Sequence, residues 1–114
     1  MFTFACKTIR KEDIIKCALG LNKTEYTILE FFFKKGKSQS VKKIYQTLGF
    51  ERTTVQKALK NLMKKNLVKR KKVDLKKGGY VFLYELNDKN KIKNRIKSTV
   101  SAWSKHAIRK IDEI

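Results

Sequence analysis

No proline interrupts this sequence, histidine occurs once, cysteine twice and glycine only five times. Without proline, a Gly/Ser linker or an internal repeat, the chain reads as one continuous, mostly helical unit. Cys6 and Cys17 are too far apart for a Cys-x-x-Cys motif, and only His106 could add a nitrogen ligand. No structural zinc site and no cofactor are therefore expected. The two thiols would form a redox switch if they met, but free cysteines are the default in a reduced cytoplasm. His106 has no carboxylate or cysteine beside it and reads as a solvated helix residue. No Ser/His/Asp or Cys/His set can be nominated, the carboxylates are scattered, and Gly78-Gly79 lacks the pattern of a nucleotide-binding loop. Enzyme activity is not indicated. Apolar runs are short: Glu30 interrupts the longest, Ile28 to Phe33, far below the ~20 residues of a membrane span. Met1 to Cys6 lacks the features of a secretory signal. The expectation is a cytoplasmic, nucleoid-associated protein with no membrane partner and no evident small-molecule ligand.

Acidic residues are also scarce, 10 against 29 lysines and arginines, and the formal charge is +19 on 114 residues. Such an excess opposes the compact state unless a polyanion neutralises it, which makes nucleic acid the leading partner. Between Phe31 and Tyr84 sixteen basic residues stand against only Glu51 and Asp74, leaving fourteen net positive charges in the middle of the chain. The 41% hydrophobic content suffices for a modest core in one domain.

Hydrophobic spacing divides that domain. Ile14, Ile15, Ala18 and Leu19 share one face of a leading helix over 11–19, closed by Gly20. Thr24 is a candidate cap for a helix to about Lys35, with Ile28, Leu29, Phe32 and Phe33 as its buried stripe and Gly36 as its stop. From Ser40, a candidate N-cap, Val41, Ile44, Tyr45 and Leu48 mark a short helix ended by Gly49. A helix from Thr53 to Lys65 follows, with Val55, Ala58, Leu59 and Leu62 inward and Thr53 and Gln56 suited to a capping box. Helix, short helix, Gly-containing turn and helix make a helix-turn-helix. The period then becomes two over Leu67 to Leu75 and Tyr80 to Leu86, predicting a hairpin through Lys76, Lys77, Gly78 and Gly79. Asp88 opens a last helix over 88–111, whose Ile92, Ile96, Val100, Trp103, Ala107 and Ile111 approach a heptad seam. The fold class is thus mainly α with a small β-hairpin (α+β): a winged helix-turn-helix core over 24–86 with a long C-terminal dimerisation helix. The competing reading packs that last helix back on its own domain.

Burial of the apolar stripe leaves Arg52, Thr53, Thr54, Gln56, Lys57, Lys60, Asn61 and Lys64 outward on the recognition helix. These side chains suit a major groove: Gln pairs with adenine, Arg or Lys with guanine, and Lys64 lies late enough to favour the backbone. Lys69, Arg70, Lys71 and Lys72 on the first strand and Lys76 and Lys77 at the tip place positive charge on the wing, for phosphate or minor-groove contact. Edge lysines also discourage sheet aggregation. Tyr80, Phe82 and Tyr84 alternate in a way that favours packing on the helices over stacking on unpaired bases.

Three segments, LGLNKTEYTILEFFFKKG (19–36), RTTVQKALKNLMKKNLVKRKKV (52–73) and GGYVFLYEL (78–86), resemble archaeal winged-helix transcription regulators of the TrmB-like and MarR-like groups. Thr54, Val55, Ala58, Leu59, Leu62, Leu67, Val68 and Arg70 stand where that family has its Thr-Val-x-x-Ala-Leu-x-x-Leu core and Leu-Val-x-Arg strand. The resemblance implies a homodimer on palindromic operators, with Arg52, Thr53, Thr54, Gln56, Lys57 and Lys60 facing the groove. Two departures stand out: the sequence ends soon after the long helix, where full TrmB-type regulators continue into a sugar-binding domain, and its charge is unusually high. An RNA-binding or ribonucleoprotein module, a broadly binding chromatin-like protein and a protein-interaction winged helix remain the alternatives.

Overall fold

The computed structural model describes residues 2–5 and 8–114. Its elements are β1 (Phe2–Thr3), β2 (Thr8–Ile9), α1 (Lys11–Leu19), α2 (Lys23–Lys35), β3 (Gln39–Ser40), α3 (Val41–Leu48), α4 (Arg52–Lys64), β4 (Val68–Asp74), β5 (Tyr80–Leu86) and α5 (Lys89–Asp112). The pairing of Cys6 with Cys17 considered above falls outside the described residues. Cys17 itself is exposed on α1.

Local chemistry fixes most boundaries. Gly20, Gly36 and Gly49 end α1, α2 and α3 in the left-handed conformation that glycine adopts without steric cost. Ser40 Oγ accepts from the Lys43 amide and starts α3, and Asp88 Oδ1 accepts from the Asn90 amide and starts α5. Two expected caps are corrected. α2 begins at Asn22, not Thr24, because Asn22 Oδ1 accepts from the Glu25 amide at 2.8 Å while Glu25 Oε1 accepts from the Asn22 amide at 3.1 Å. Thr24 has only Thr27 at the reciprocal position, and that hydroxyl donates to the Lys23 carbonyl instead. α4 begins after Glu51, so Thr53 and Gln56 lie within the helix and form no capping box. α4 ends without glycine: Asn66 takes φ 60, and the Leu67 amide returns to the Leu62 carbonyl.

The sheet is larger than a hairpin. β4 and β5 pair antiparallel from Val68↔Leu86 to Asp74↔Tyr80, and β3 joins the other edge of β5 through Gln39↔Tyr84 and Ser40↔Leu83. The residue that caps α3 is therefore also bonded to the wing. The core lies between the helices and this sheet: Ile28, Leu29, Phe32, Ile44, Val55, Leu59, Leu62 and Leu67 are fully or almost fully buried. Tyr26 and Phe31 are buried as well, outside the stripe expected for α2, while Phe33 is only half-buried.

α5 leaves this body. The chain's radius of gyration of 17.4 Å exceeds the ~13 Å of a compact chain of this length, and the molecule is 68 Å long by 25 and 21 Å across. α5 packs on α1, with Ile14 beside Ile96, Val100 and Ser104, and seats Ile92 in the core, while its last turns, with Ile108 and Ile111 exposed, extend further.

Candidate nucleic-acid interface

α4 is amphipathic with a sharp division. Val55, Ala58, Leu59 and Leu62 bury one face against α2 and α3, leaving Arg52, Thr53, Thr54, Gln56, Lys57, Lys60 and Lys64 exposed. Asn61 is the exception and a correction to the outward-facing set. It is half-buried, and its Nδ2 donates to Glu25 Oε2 at 2.9 Å. Glu25 is 5% exposed and uses its other oxygen in the α2 capping box, so Asn61 satisfies a buried carboxylate and ties α2 to α4.

Strand register sorts the wing cations. Successive side chains alternate between faces, so Arg70 and Lys72 share a face with Tyr84, Phe82 and Tyr80, while Lys69 and Lys71 lie on the reverse. The Arg70 guanidinium sits 4.2 Å from the Phe82 ring centroid, and the Lys72 ammonium 4.2 Å from that of Tyr80. Aromatic faces attract cations and hold these two side chains against the sheet. On the reverse, Lys69 and Lys71 flank Glu85 at 3.7 and 4.0 Å, and Glu85 also accepts from Ser38 Oγ. Lys76 and Lys77 are exposed at the tip, where Gly78 and Gly79 take φ 93 and 78 to turn the chain.

The three aromatics divide by depth. Tyr84 is in the core, Phe82 packs against it, and Tyr80 is 54% exposed, edge-on to Phe82 at 5.2 Å. Packing on the helices therefore holds for Tyr84 and Phe82 and fails for Tyr80, which lies nearest the tip.

The decisive feature is where the two elements meet. Arg52 and Gln56 of α4, Ser40, Lys42 and Tyr45 around the start of α3, and Tyr80 and Phe82 of β5 line one open cleft of about 370 Å³. Recognition helix and wing thus border a single surface, with the Gln56 side chain exposed on it. Lys42 was not among the expected contacts. The β3–β5 pairing brings it there, and two strand residues in front of a helix give little periodic signal.

The seam expected on α5 divides too. Ile92, at 3% exposure, is in the core and unavailable to a partner, and Ile96 packs against that core. Ala107 is half-buried, and Val100, Trp103 and Ile111 are exposed, together with Ile108 and Ile114. Trp103 is 63% exposed. His106 is exposed, as expected. Among the described residues no group of three or more His, Cys, Asp or Glu could hold a metal ion, and no helix is long and apolar enough to cross a membrane.

Residues 15–90 match the family described as "Sugar-specific transcriptional regulator TrmB". The chain belongs to the TrmB family. Among its relatives, the uncharacterized protein MJ1503 of Methanocaldococcus jannaschii is 31% identical over 109 residues, covering 96% of this chain and 82% of that protein. A solved structure described as a possible transcriptional regulator from Methanosarcina mazei Go1 has a TM-score of 0.83 at 32% identity and covers 99% of this chain and 95% of its own. A mutant of S. aureus MepR bound to an oligodeoxyribonucleotide has a TM-score of 0.61 at 19% identity, over 91% of this chain and 73% of that one, a likeness of fold. This TrmB-family chain is accordingly a winged-helix, DNA-binding transcription regulator, with the β4–β5 hairpin as its wing and α5 as its long C-terminal helix.

Proposed function

We propose that the protein acts as a homodimer that prefers particular double-stranded sequences and regulates transcription by occupying promoter DNA, with no catalytic step. The observation that carries this reading is the shared cleft, in which Arg52 and Gln56 of α4 face the same space as Tyr80 and Phe82 of the wing. In this reading the first turns of α4 enter the major groove, where Gln56 pairs with adenine and Arg52 with guanine. Thr53 and Thr54 meet base edges or phosphates, and Lys57, Lys60 and Lys64 follow the backbone. Lys42, Arg70 and Lys72 border the duplex, while Lys76 and Lys77 reach the minor groove or its flanking phosphates. Lys69 and Lys71, turned to the reverse face beside Glu85, contribute field more than contact.

The dimer forms through the outer half of α5. Val100, Trp103, Ala107 and Ile111 recur at the spacing of a helix seam, and exposed tryptophan and isoleucine in such a row favour burial against a second copy. Two recognition helices then reach successive major grooves about 34 Å apart, and the nucleoid is where such a protein resides.

A pair of substitutions tests the reading on operator and random duplexes, with the operator selected from a random pool. Gln56→Ala reduces the preference for operator by ~1–3 kcal/mol, whereas Lys76→Ala weakens both about equally and flattens the salt slope by about one unit. Equal losses on both duplexes for Gln56→Ala would remove base reading. Structured RNA outcompeting the duplex at fixed salt would make RNA the partner instead.

A further inference from the structure

The cleft leaves much of the positive charge unexplained. α5 alone carries Lys89, Lys91, Lys93, Arg95, Lys97, Lys105, Arg109 and Lys110 against Asp112. Their spacing is unfavourable for a helix: Lys89 with Lys93, Lys91 with Arg95, Lys93 with Lys97, and Lys105 with Arg109 are like charges four residues apart. Elsewhere lysines find carboxylates, as Lys16 and Lys23 do at Glu12, Lys34 at Glu30, and Lys69 and Lys71 at Glu85. On α5 only Lys110 forms an ion pair among the described residues. Arg95 donates to the Lys65 carbonyl and Lys89 lies over the Phe33 ring, while Lys91, Lys93, Lys97, Lys105 and Arg109 stand exposed.

A duplex in the cleft does not neutralise them. α4 rises about 20 Å from Arg52 to Lys65, where Arg95 of α5 meets it. β5 likewise runs about 20 Å from Tyr80 near the tip to Leu86, just before the Asp88 cap of α5. Both elements lead from the reading surface to the root of α5, and α5 then packs along α1. The base-reading turns at Arg52 and Gln56 thus stand more than one Debye length, about 8 Å at physiological salt, from the root of α5. The arm needs phosphates of its own, and its 24 residues span ~36 Å, about one turn of duplex.

We infer that the exposed basic side of α5 is a second, sequence-independent duplex-binding face, so that a protein held on one DNA segment captures another. The inference rests on the DNA-reading cleft proposed above, which raises the local concentration of DNA around each bound molecule. The ligand is the sugar-phosphate backbone of duplex DNA, met by Lys91, Lys93, Lys97 and Lys105.

The test is capture of a labelled random duplex by protein bound to a bead-tethered operator duplex. The combined variant Lys91→Gln, Lys93→Gln, Lys97→Gln, Lys105→Gln keeps operator binding within about twofold, because the cleft is intact, and loses capture by about tenfold or more. Its circular dichroism and thermal midpoint stay at or above those of the parent, because repulsive pairs have been removed. Undiminished capture by this folded variant would overturn the inference, since bridging would then come from two reading heads, and so would no capture by the parent chain. Failure of the Gln56→Ala test removes base reading but leaves capture unchanged, so the two readings fail separately.

Discussion

α4 and the outer half of α5 are both lysine-rich amphipathic helices, yet the fold treats their apolar stripes in opposite ways. α4 closes Val55, Ala58, Leu59 and Leu62 beneath α2, α3 and the sheet, each no more than 5% exposed. Outer α5 leaves Val100, Trp103, Ile108 and Ile111 in solvent. The difference lies in what surrounds each helix. α4 has neighbours along its length, whereas α5 has α1 beside only part of its length and seats only Ile92 fully. A covered stripe stabilises the monomer; an uncovered one stabilises an assembly.

The largest predicted effect tests the covered side. Leu62→Ala should cost ~2–5 kcal/mol in denaturant unfolding, because the site is fully buried and the vacated volume cannot collapse completely. Ile111→Ala, measured at a concentration where the chain is monomeric, should stay within about 0.5 kcal/mol of the parent. Similar costs for the two would show that outer α5 is covered within one chain, and the contrast between the helices would break.

Next comes the uncovered side. Trp103→Glu places a charge in the centre of the proposed seam and should weaken self-association by ~2 kcal/mol or more, read by sedimentation. The dependence of thermal midpoint on concentration should vanish with it. A variant that sediments as the parent does at every concentration would place the dimer elsewhere.

How far the sequence foretold this arrangement follows the same division. Features set by neighbours in sequence were legible: Ser40 and Asp88 as caps, the three left-handed glycines, both wing strands and the α4 stripe. Features set by neighbours in space were not. β3 exists only because Gln39 and Ser40 pair with β5, and without that pairing Lys42 has no reason to enter the cleft. Periodicity placed Ile92 and Trp103 on one stripe of α5 and could not say that the core would take the first and leave the second. Asn61 looked outward because its partner, Glu25, lies thirty-six residues away on another helix.

That bond gives the third prediction. Asn61→Ala leaves one oxygen of a buried carboxylate without its donor and should cost ~1–3 kcal/mol. Lys60→Ala, one residue earlier and exposed, should change stability by no more than about 0.5 kcal/mol while weakening DNA binding. If Asn61→Ala instead leaves stability unchanged and relaxes sequence preference, Asn61 turns outward on the bound protein and reads bases.

The smallest effect separates the body from the arm by pH. Tyr26, buried on α2, donates its hydroxyl hydrogen to Glu30 Oε2 at 3.0 Å. Burial, reinforced by the Glu30 carboxylate, disfavours the phenolate and raises the pKa from 10 to about 12. The folded state therefore holds this proton more tightly than the unfolded chain. Its contribution is fully present below pH 10 and is lost as pH rises from there towards 12. Tyr26→Phe removes one hydrogen bond, costing about 0.5–1.5 kcal/mol near neutrality, and should flatten this part of the alkaline stability curve. The body's core unfolding should register the change, while self-association through α5 at neutral pH should not. An alkaline curve equally steep in Tyr26→Phe would assign the proton release to another group and remove Tyr26 from the account of the core.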